Sequence, residues 1–317
     1  MLKVLFLAGR NVERIYDSPV LLAASFKDGR EYLNVTTGQG QKGFGKRMRE
    51  GSIITNTDLP RTKQSLSEDL KRLGLEKGMT VIVHSSLSSL GWVNGGAVTV
   101  IQALIDVVTP SGTIVMPAHS GEYSEPVFWG NPPVPADWCN TIRNTMPAFD
   151  PQITPCRGIG IIPEVFRKWP GAVRSSHPTS SFAALGKHAN YIVANQPLDF
   201  PMGEQSPLSH LYDLHSSVLL LGAGFGNNTS FHLAEYRSNK RKVFETGGPI
   251  IVNGNRIWAI YKDIEFETEE FTLIGQDFEQ TGKVTNGIVG SAKTKLFSQR
   301  SAVDFAFEWI TRPEVNL

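Results

Sequence analysis

Residues 80–117, TVIVHSSLSSLGWVNGGAVTVIQALIDVVTPSGTIVMP, constrain the chain more than any other stretch, because they read as a complete βαβ unit. Val81, Ile82 and Val83 form an unbroken β-branched run, the composition of a strand buried on both faces. The chain then turns small and polar at Ser85, Ser86, Leu87, Ser88 and Ser89, and Asn94, Gly95 and Gly96 open a helix. Val98, Ile101, Leu104, Ile105 and Val108 follow at helical spacing. Pro110, Ser111 and Gly112 stop that helix, and Thr113 to Met116 supply a second apolar strand.

In such a unit the loop after the first strand lies at the carboxyl edge of the sheet, where open α/β sheets place their ligands. Free backbone N–H groups at a helix start, beside two glycines that let a ligand come close, favour a phosphate or pyrophosphate. The same composition also serves as a plain connector. The loop is therefore a candidate anion site that needs other residues to support it.

Composition narrows the partners. The formal net charge of +1 gives no electrostatic reason to expect nucleic acid or an anionic membrane. Cys139 and Cys156 are the two thiols, far apart, so neither a disulfide framework nor a cysteine metal site is indicated and a reducing cytoplasm fits. No apolar run approaches bilayer length, and Arg10 interrupts the brief apolar start too early for a signal peptide. At 317 residues the chain can build one large α/β domain.

Residues 1–52 stand apart. Leu2 to Leu7 suits a strand, but Gly29 to Arg49 is rich in Gly, Lys, Gln and Arg with little periodicity, which predicts a poorly ordered extension or a start-site artefact ahead of a natural start near Met48. The main domain is expected over 53–317. Ser65 to Glu68 has capping-box spacing, Leu66, Leu70 and Leu73 share one helix face, and Gly74 suits the helix end. Residues 118–158, with seven prolines, read as a long irregular loop that forms a substrate wall or a contact with a second copy in a homodimer. A helix with Pro163 in its first turn comes next, then a strand over 217–221 and a hairpin turning at Asn253 and Gly254. Residues 264–309 read as mostly helical.

Several motifs can carry chemistry. Gly222-Ala223-Gly224 follows a strand, but the spacing is wrong for a dinucleotide fingerprint, and no nucleophile elbow, Walker loop or His-Glu-x-x-His is present. His177 has the best context of the seven histidines, in Arg174-Ser175-Ser176-His177-Pro178-Thr179-Ser180-Ser181. A histidine is the natural general base near neutral pH and needs an acceptor to fix its tautomer. Glu235 is the carboxylate chosen, because its short helix follows a strand that ends on the same sheet edge. His84 reads as a structural hydrogen-bonding group, and His119, His188, His210 and His215 lack a ligand spacing, so no metal is expected.

Four motifs in order, VHSSLSSLGWVNGG, RSSHPTSSFAALG, GNNTSFHLAEYR and IGQDFEQTGKVTNGIVGSAKTKLFSQRSAVDFAFEW, resemble the aminoglycoside 3-N-acetyltransferase family, and within it the YokD-like branch of bacilli. The resemblance runs from about Pro60 to Trp309. It implies a three-layer α/β/α domain on a mixed central sheet, unlike the fold of the commoner N-acetyltransferase superfamily, with acetyl-CoA as co-substrate. It implies that His84, Ser85, Ser86, Leu87, Val93, Asn94, Gly95 and Gly96 hold the pantetheine and phosphates, helped by Arg174, Ser175, Thr229 and Ser230. The family's histidine falls on His177 and its carboxylate on Glu235.

The expected reaction is direct acyl transfer to a small-molecule amine, the 3-amino group of an aminoglycoside, with His177 as base and a hydroxyl of Ser85, Ser86 or Thr229 at the oxyanion. A polycationic acceptor should meet carboxylates, for which Glu122, Glu125, Asp137, Glu204 and Asp213 are candidates. A transferase acting on another small amine, a thioester hydrolase and a non-catalytic acyl-CoA-binding protein are the competing readings. Thiol release that depends on a 3-amino group separates them.

Overall fold

The structure is a computed structural model. It describes the backbone of residues 3–8, 11–14, 21–27, 30–36 and 44–313, with side chains from residue 50 to residue 313. The chain divides into two compact units, 1–52 and 53–317. In the first, β1 (Lys3–Ala8), β2 (Asn11–Arg14), β3 (Leu21–Lys27) and β4 (Arg30–Thr36) pair in the order β2-β1-β3-β4, and α1 (Phe44–Thr55) follows. The expectation of a poorly ordered extension or a start-site artefact over 1–52 falls mostly on residues whose side chains lie outside the described ones.

The second unit begins with α2 (Lys63–Leu73), β5 (Thr80–Ser85), α3 (Gly96–Val108) and β6 (Thr113–Pro117), so the βαβ unit forms where its pattern placed it. The cap of α2 sits earlier than expected. Thr62 and Ser65 form the reciprocal box, because the N-cap must immediately precede the first helical residue, Lys63. Residues 118–158 are not wholly irregular, since Trp138–Thr145 form α4. After α5 (Ile161–Phe166) come the short strand β7 (Val173–Arg174), β8 (Phe182–Gly186), α6 (Ala189–Val193), α7 (Pro207–Asp213), β9 (Ser217–Leu221) and α8 (Phe231–Ser238).

The hairpin β10 (Val243–Val252) and β11 (Asn255–Ile264) turns at Asn253 and Gly254, both with positive φ, and is longer than the apolar run alone suggested. Then α9 (Glu270–Glu279) leads into β12 (Val284–Val289), β13 (Ala292–Ser298) and α10 (Gln299–Thr311). The expectation of a mostly helical 264–309 is thus corrected, because 284–298 is a hairpin whose second strand joins the main sheet beside β9. Ala292, Thr294 and Leu296 are buried and alternate with the exposed Lys293 and half-buried Lys295, the strand signature of its first part, while Phe297 is buried on the opposite face.

The main sheet runs β12-β13-β9-β5-β6-β8-β7. Its centre, β9-β5-β6, is parallel, and the strands outside it pair antiparallel, so the sheet is mixed. Alternation along these strands builds two cores. Val81, Val83, Ile114, Met116, Leu219 and Leu221 face one, with residues of α2, α3 and α5. Ile82, Val115, Val218, Leu220 and Phe182 face the other, with residues of α6 to α10. A sheet apolar on both faces needs a helical layer on each, and the chain supplies both. The carboxyl ends of β9, β5 and β6 therefore open together on one edge.

Candidate functional site

That edge is built from the loops after β5, β6 and β9. Ser86 N–H donates to Leu221 O at 3.0 Å, extending the β5–β9 ladder into the loop. Gly222, at φ +69°, lets the next loop pass so close that a Cβ there would lie 2.8 Å from Ser89 Cβ. The polar loop 84–96 and the segment leading to α8 thus lie side by side.

α8 carries the chemistry. His232 and Glu235, three residues apart on one helical face, are joined by a 2.8 Å hydrogen bond from Nδ1 to Oε2. The ring is packed against Phe266 and Phe271, with centroids 4.2 and 4.9 Å away. Glu235 is 0% exposed, and its Oε1 accepts from Arg241 Nε at 3.0 Å and Glu267 N–H at 2.9 Å. With Nδ1–H fixed on the carboxylate, Nε2 of His232 is left as the proton acceptor, the arrangement general-base catalysis needs.

Around this pair lie groups with unmet hydrogen-bonding capacity. Ser85 Oγ, Asn228 Nδ2, Ser230 Oγ, His84 Nε2 and His119 Nε2 are enclosed and lack partners. Asn228 and Ser230 are 0% exposed. Buried polar atoms are almost always paired, and although Arg61, Ser216, Trp258 and Gln299 elsewhere also keep one atom unmatched, several such atoms on the strands and segments of one edge offer free capacity to a ligand. His84 and His119 are both held near 3, chiefly by burial and further by the imidazole of His232. Both are neutral at physiological pH.

His177 is placed differently from the expectation. It is 1% exposed, its Nδ1 accepts from Ser180 N–H at 3.0 Å and Thr179 N–H at 3.3 Å, and its Nε2–H donates to Leu198 O at 3.2 Å. Tyr261 packs edge-on against it. Burial lowers its pKa to about 4, opposed only by the bond to Leu198. The expected pairing of His177 with Glu235 is therefore corrected. Both nitrogens of His177 fasten its own loop, and the carboxylate belongs to His232.

Arg174 and Ser175 also leave the expected ligand set. The Arg174 guanidinium donates to Ala118 O and Thr154 O at 2.5 Å, to Ser120 Oγ at 2.9 Å and to Ser181 Oγ at 3.0 Å. It staples the long 118–158 segment to the sheet edge. Ser175 Oγ donates to Gln196 Oε1 at 2.6 Å and accepts from Phe182 N–H at 2.9 Å. Arg174 and His177 instead form part of the wall of a cleft of about 730 Å³, with Phe149, Asp150 and Leu198, whose lining includes neither His232 nor Glu235.

The remaining predicted residues stay together. His84 and Ser85 end β5, and Ser86, Leu87, Val93, Asn94 and Gly95 follow in the loop that leads to Gly96 at the start of α3, whose first turn has no side-chain cap and where a Cβ on Gly96 would meet open space. Thr229 and Ser230 immediately precede α8. Of the acidic candidates, Glu125 is bound by Arg143 and Glu204 by Arg237, while Glu122 Oε2 is enclosed and unpartnered. Sequence reasoning passed over His232 as the partner of Glu235, although His-x-x-Glu on a helix signals the pair by its spacing alone.

A mixed sheet covered on both faces, with a His–Glu pair and unpartnered polar atoms at its carboxyl edge, has the architecture and the groups of an enzyme of the α/β class. The aminoglycoside 3-N-acetyltransferase family model matches residues 82–311. The chain belongs to that family. It is 58% identical over 258 residues to the SPbeta prophage-derived aminoglycoside N(3')-acetyltransferase-like protein YokD of Bacillus subtilis, covering 81% of this chain and 95% of the relative. The crystal structure of YokD superposes with a TM-score of 0.83 at 56% identity, over 84% of this chain and 99% of that one. Aminoglycoside N(3)-acetyltransferase IX of Micromonospora chalcea is 36% identical, over 83% of this chain and 98% of its own. Solved relatives with ligands are AAC-IIIb with CoASH, 31% identical over 80% of this chain and 97% of that one, and AAC-VIa with sisomicin, 30% identical over 80% and 98%, each at a TM-score of 0.72.

Proposed function

We propose that the chain transfers the acetyl group of acetyl-CoA to the 3-amino group of an aminoglycoside, with His232 as general base. The observation that carries this is the 2.8 Å bond that fixes Nδ1–H of His232 on a fully buried carboxylate. The residues present suit the co-substrate. The unpartnered Ser85 Oγ, the hydroxyl of Ser86, Asn94 and the open backbone at Gly96, at the start of a 13-residue helix, match a thioester that bears phosphates. AAC-IIIb with CoASH and AAC-VIa with sisomicin support the pairing of the two substrates.

The bound thioester supplies an activated acyl carbon and a thiolate leaving group. His232 Nε2 takes the proton from the acceptor amine as the C–N bond forms, and Glu235 stabilises the imidazolium that results. Asn228 Nδ2, Ser230 Oγ and Ser85 Oγ are the donors available to the oxyanion that develops on the carbonyl. As the C–S bond breaks, the imidazolium returns its proton to the departing sulfur, so the base ends the cycle neutral. Glu122, with a carboxylate oxygen unclaimed by any arginine, is the acid we assign to an ammonium of the acceptor. A cytoplasmic location is part of this reading, and the need for acetyl-CoA supports it. In the described residues no helix is long and apolar enough to cross a membrane.

The test is thiol release from acetyl-CoA with aminoglycosides bearing or lacking a free 3-amino group, in wild type and His232→Gln. Release that requires that amine and disappears in the variant is expected. Release without any acceptor indicates a hydrolase, and release with amines other than the 3-amino group moves the acceptor to another class.

A further inference from the structure

The His232–Glu235 pair raises a problem of charge. Glu235 is fully buried, and a buried carboxylate whose one partner was an imidazole would draw a proton onto that ring, since an ion pair compensates a buried charge better than a neutral donor does. An imidazolium has no lone pair and is no base. Something else must neutralise Glu235.

The structure brings Arg241, from the segment between α8 and β10, to the other carboxylate oxygen. Arg241 Nε donates to Oε1 at 3.0 Å, the same oxygen that accepts Glu267 N–H, while Oε2 is left to His232. The side chain of Arg241 is only 13% exposed, and its Nη2 is held in turn by Glu270 Oε2 at the start of α9. We propose that Arg241 is a positioning residue for the base: it supplies the counter-charge of Glu235, so that His232 stays neutral with its proton on Nδ1 and its Nε2 lone pair free. The proposal rests on His232 being the base.

The other groups facing this pair cannot take that role. From the end of β5 and the loop after β6, His84 and His119 are neutral, held near 3 chiefly by burial. From β11, Asp263 is an acid, whose carboxyl burial pushes upward and which accepts from Tyr236 Oη and Ile264 N–H. From the α9 side, Phe266 and Phe271 present rings, Glu267 a backbone N–H, and Glu270 a carboxylate already bound to Arg241. Arg241 is the cation that the described residues bring to Glu235.

The test is Arg241→Gln, which keeps an N–H donor and removes the charge. The protonation of His232 is followed by ¹⁵N imidazole NMR, with the signal assigned by its loss in His232→Gln, and acetyl transfer is measured over the same pH range. Wild type should show a neutral, Nδ1-protonated ring at pH 7. In Arg241→Gln, protonation should move upward by about one pH unit, the size expected for one unit charge lost two hydrogen bonds away. The acid limb of kcat/KM should move with it, KM for acetyl-CoA should stay unchanged, and Arg241→Lys should restore the limb. An unshifted His232 titration in Arg241→Gln overturns the proposal. So does a doubly protonated His232 in wild type at pH 7, which decides the matter even if the variant does not fold. The NMR shift without acetyl transfer to any aminoglycoside leaves the role of Arg241 standing and sinks the activity.

Discussion

Acid should unfold the 53–317 unit earlier than its carboxylates alone would, and the buried histidines set the size of the effect. His84 and His177 are lowered from 6.5 to about 3 and about 4, and His119 to about 3, in each case mainly because burial disfavours the charged ring. Neutral when folded but free to protonate near 6.5 when unfolded, each makes the unfolded state the one that binds more protons below that pH. Stability is therefore full above 6.5 and drains as pH falls towards the folded value. Each group contributes about 1.4 kcal/mol per pH unit over that window, so His84 and His177 together give about 3, and His119 raises the slope towards about 4. By pH 4.5 the loss reaches about 8 kcal/mol, comparable with the whole stability of a typical domain. Over this range Glu164, held at about 2 by Arg167 against the opposing effect of its burial, does not yet contribute. Asp263, pushed up by burial, offsets the loss in part. All six tryptophans lie beyond residue 52, so their fluorescence in urea titrations at half-unit pH steps reports on this unit. We expect unfolding at pH 4.5 to 5 and a slope about one third shallower in His84→Gln. A stability unchanged between pH 6.5 and 5 would refute the reasoning.

Three further outcomes follow from the geometry. His232→Gln should lower kcat by at least ~10²-fold with KM for acetyl-CoA unchanged, whereas His177→Gln should act mainly on thermal stability; steady-state kinetics with melting curves separate the two. Gly275→Ala should lower the melting temperature by several degrees, because a Cβ there would lie 2.0 Å from Phe225 Cγ in the packed core, an overpacking that costs about 1–3 kcal/mol or more. Arg174→Gln should expose the 118–158 segment to limited proteolysis, since the carbonyl of Thr154 and the hydroxyl of Ser120 lose the guanidinium donor together and Ala118 O keeps only Ser181 Oγ. An unchanged cleavage pattern would remove the staple role.

What could be read from residues alone was what local rules determine. The β-branched run before Ser85, the stop at Pro110 to Gly112 and the Asn253-Gly254 turn each have one low-energy local solution, and the structure adopts it. The β12–β13 hairpin escaped notice because β12 buries little, with Thr285, Asn286 and Ile288 exposed, and lysines interrupt the buried residues of β13, so no continuous apolar period announced a strand. Only pairing with β9 makes β13 a central element, and pairing is a tertiary fact.

The choice of base shows the same division at the site. His177 was joined to Glu235 across two loops, a distance that depends on how the whole edge folds. His232 and Glu235 need no such knowledge, because residues three apart on a helix meet wherever that helix lies. The composition around His177, with its arginine and hydroxyls, does have a physical reason. Those groups hold the loop over 118–158 and the turn at Thr179 and Ser180 against the sheet edge, a structural task that also calls for dense hydrogen bonding. A polar cluster therefore distinguishes poorly between a site and the frame around it. Unmet capacity distinguishes better: every polar atom of the Arg174 guanidinium and the His177 ring is occupied by protein, whereas Asn228 and Ser230, fully buried just ahead of His232 in the chain, each keep one atom unmatched. The frame is satisfied in itself, and the site is completed only by what it binds.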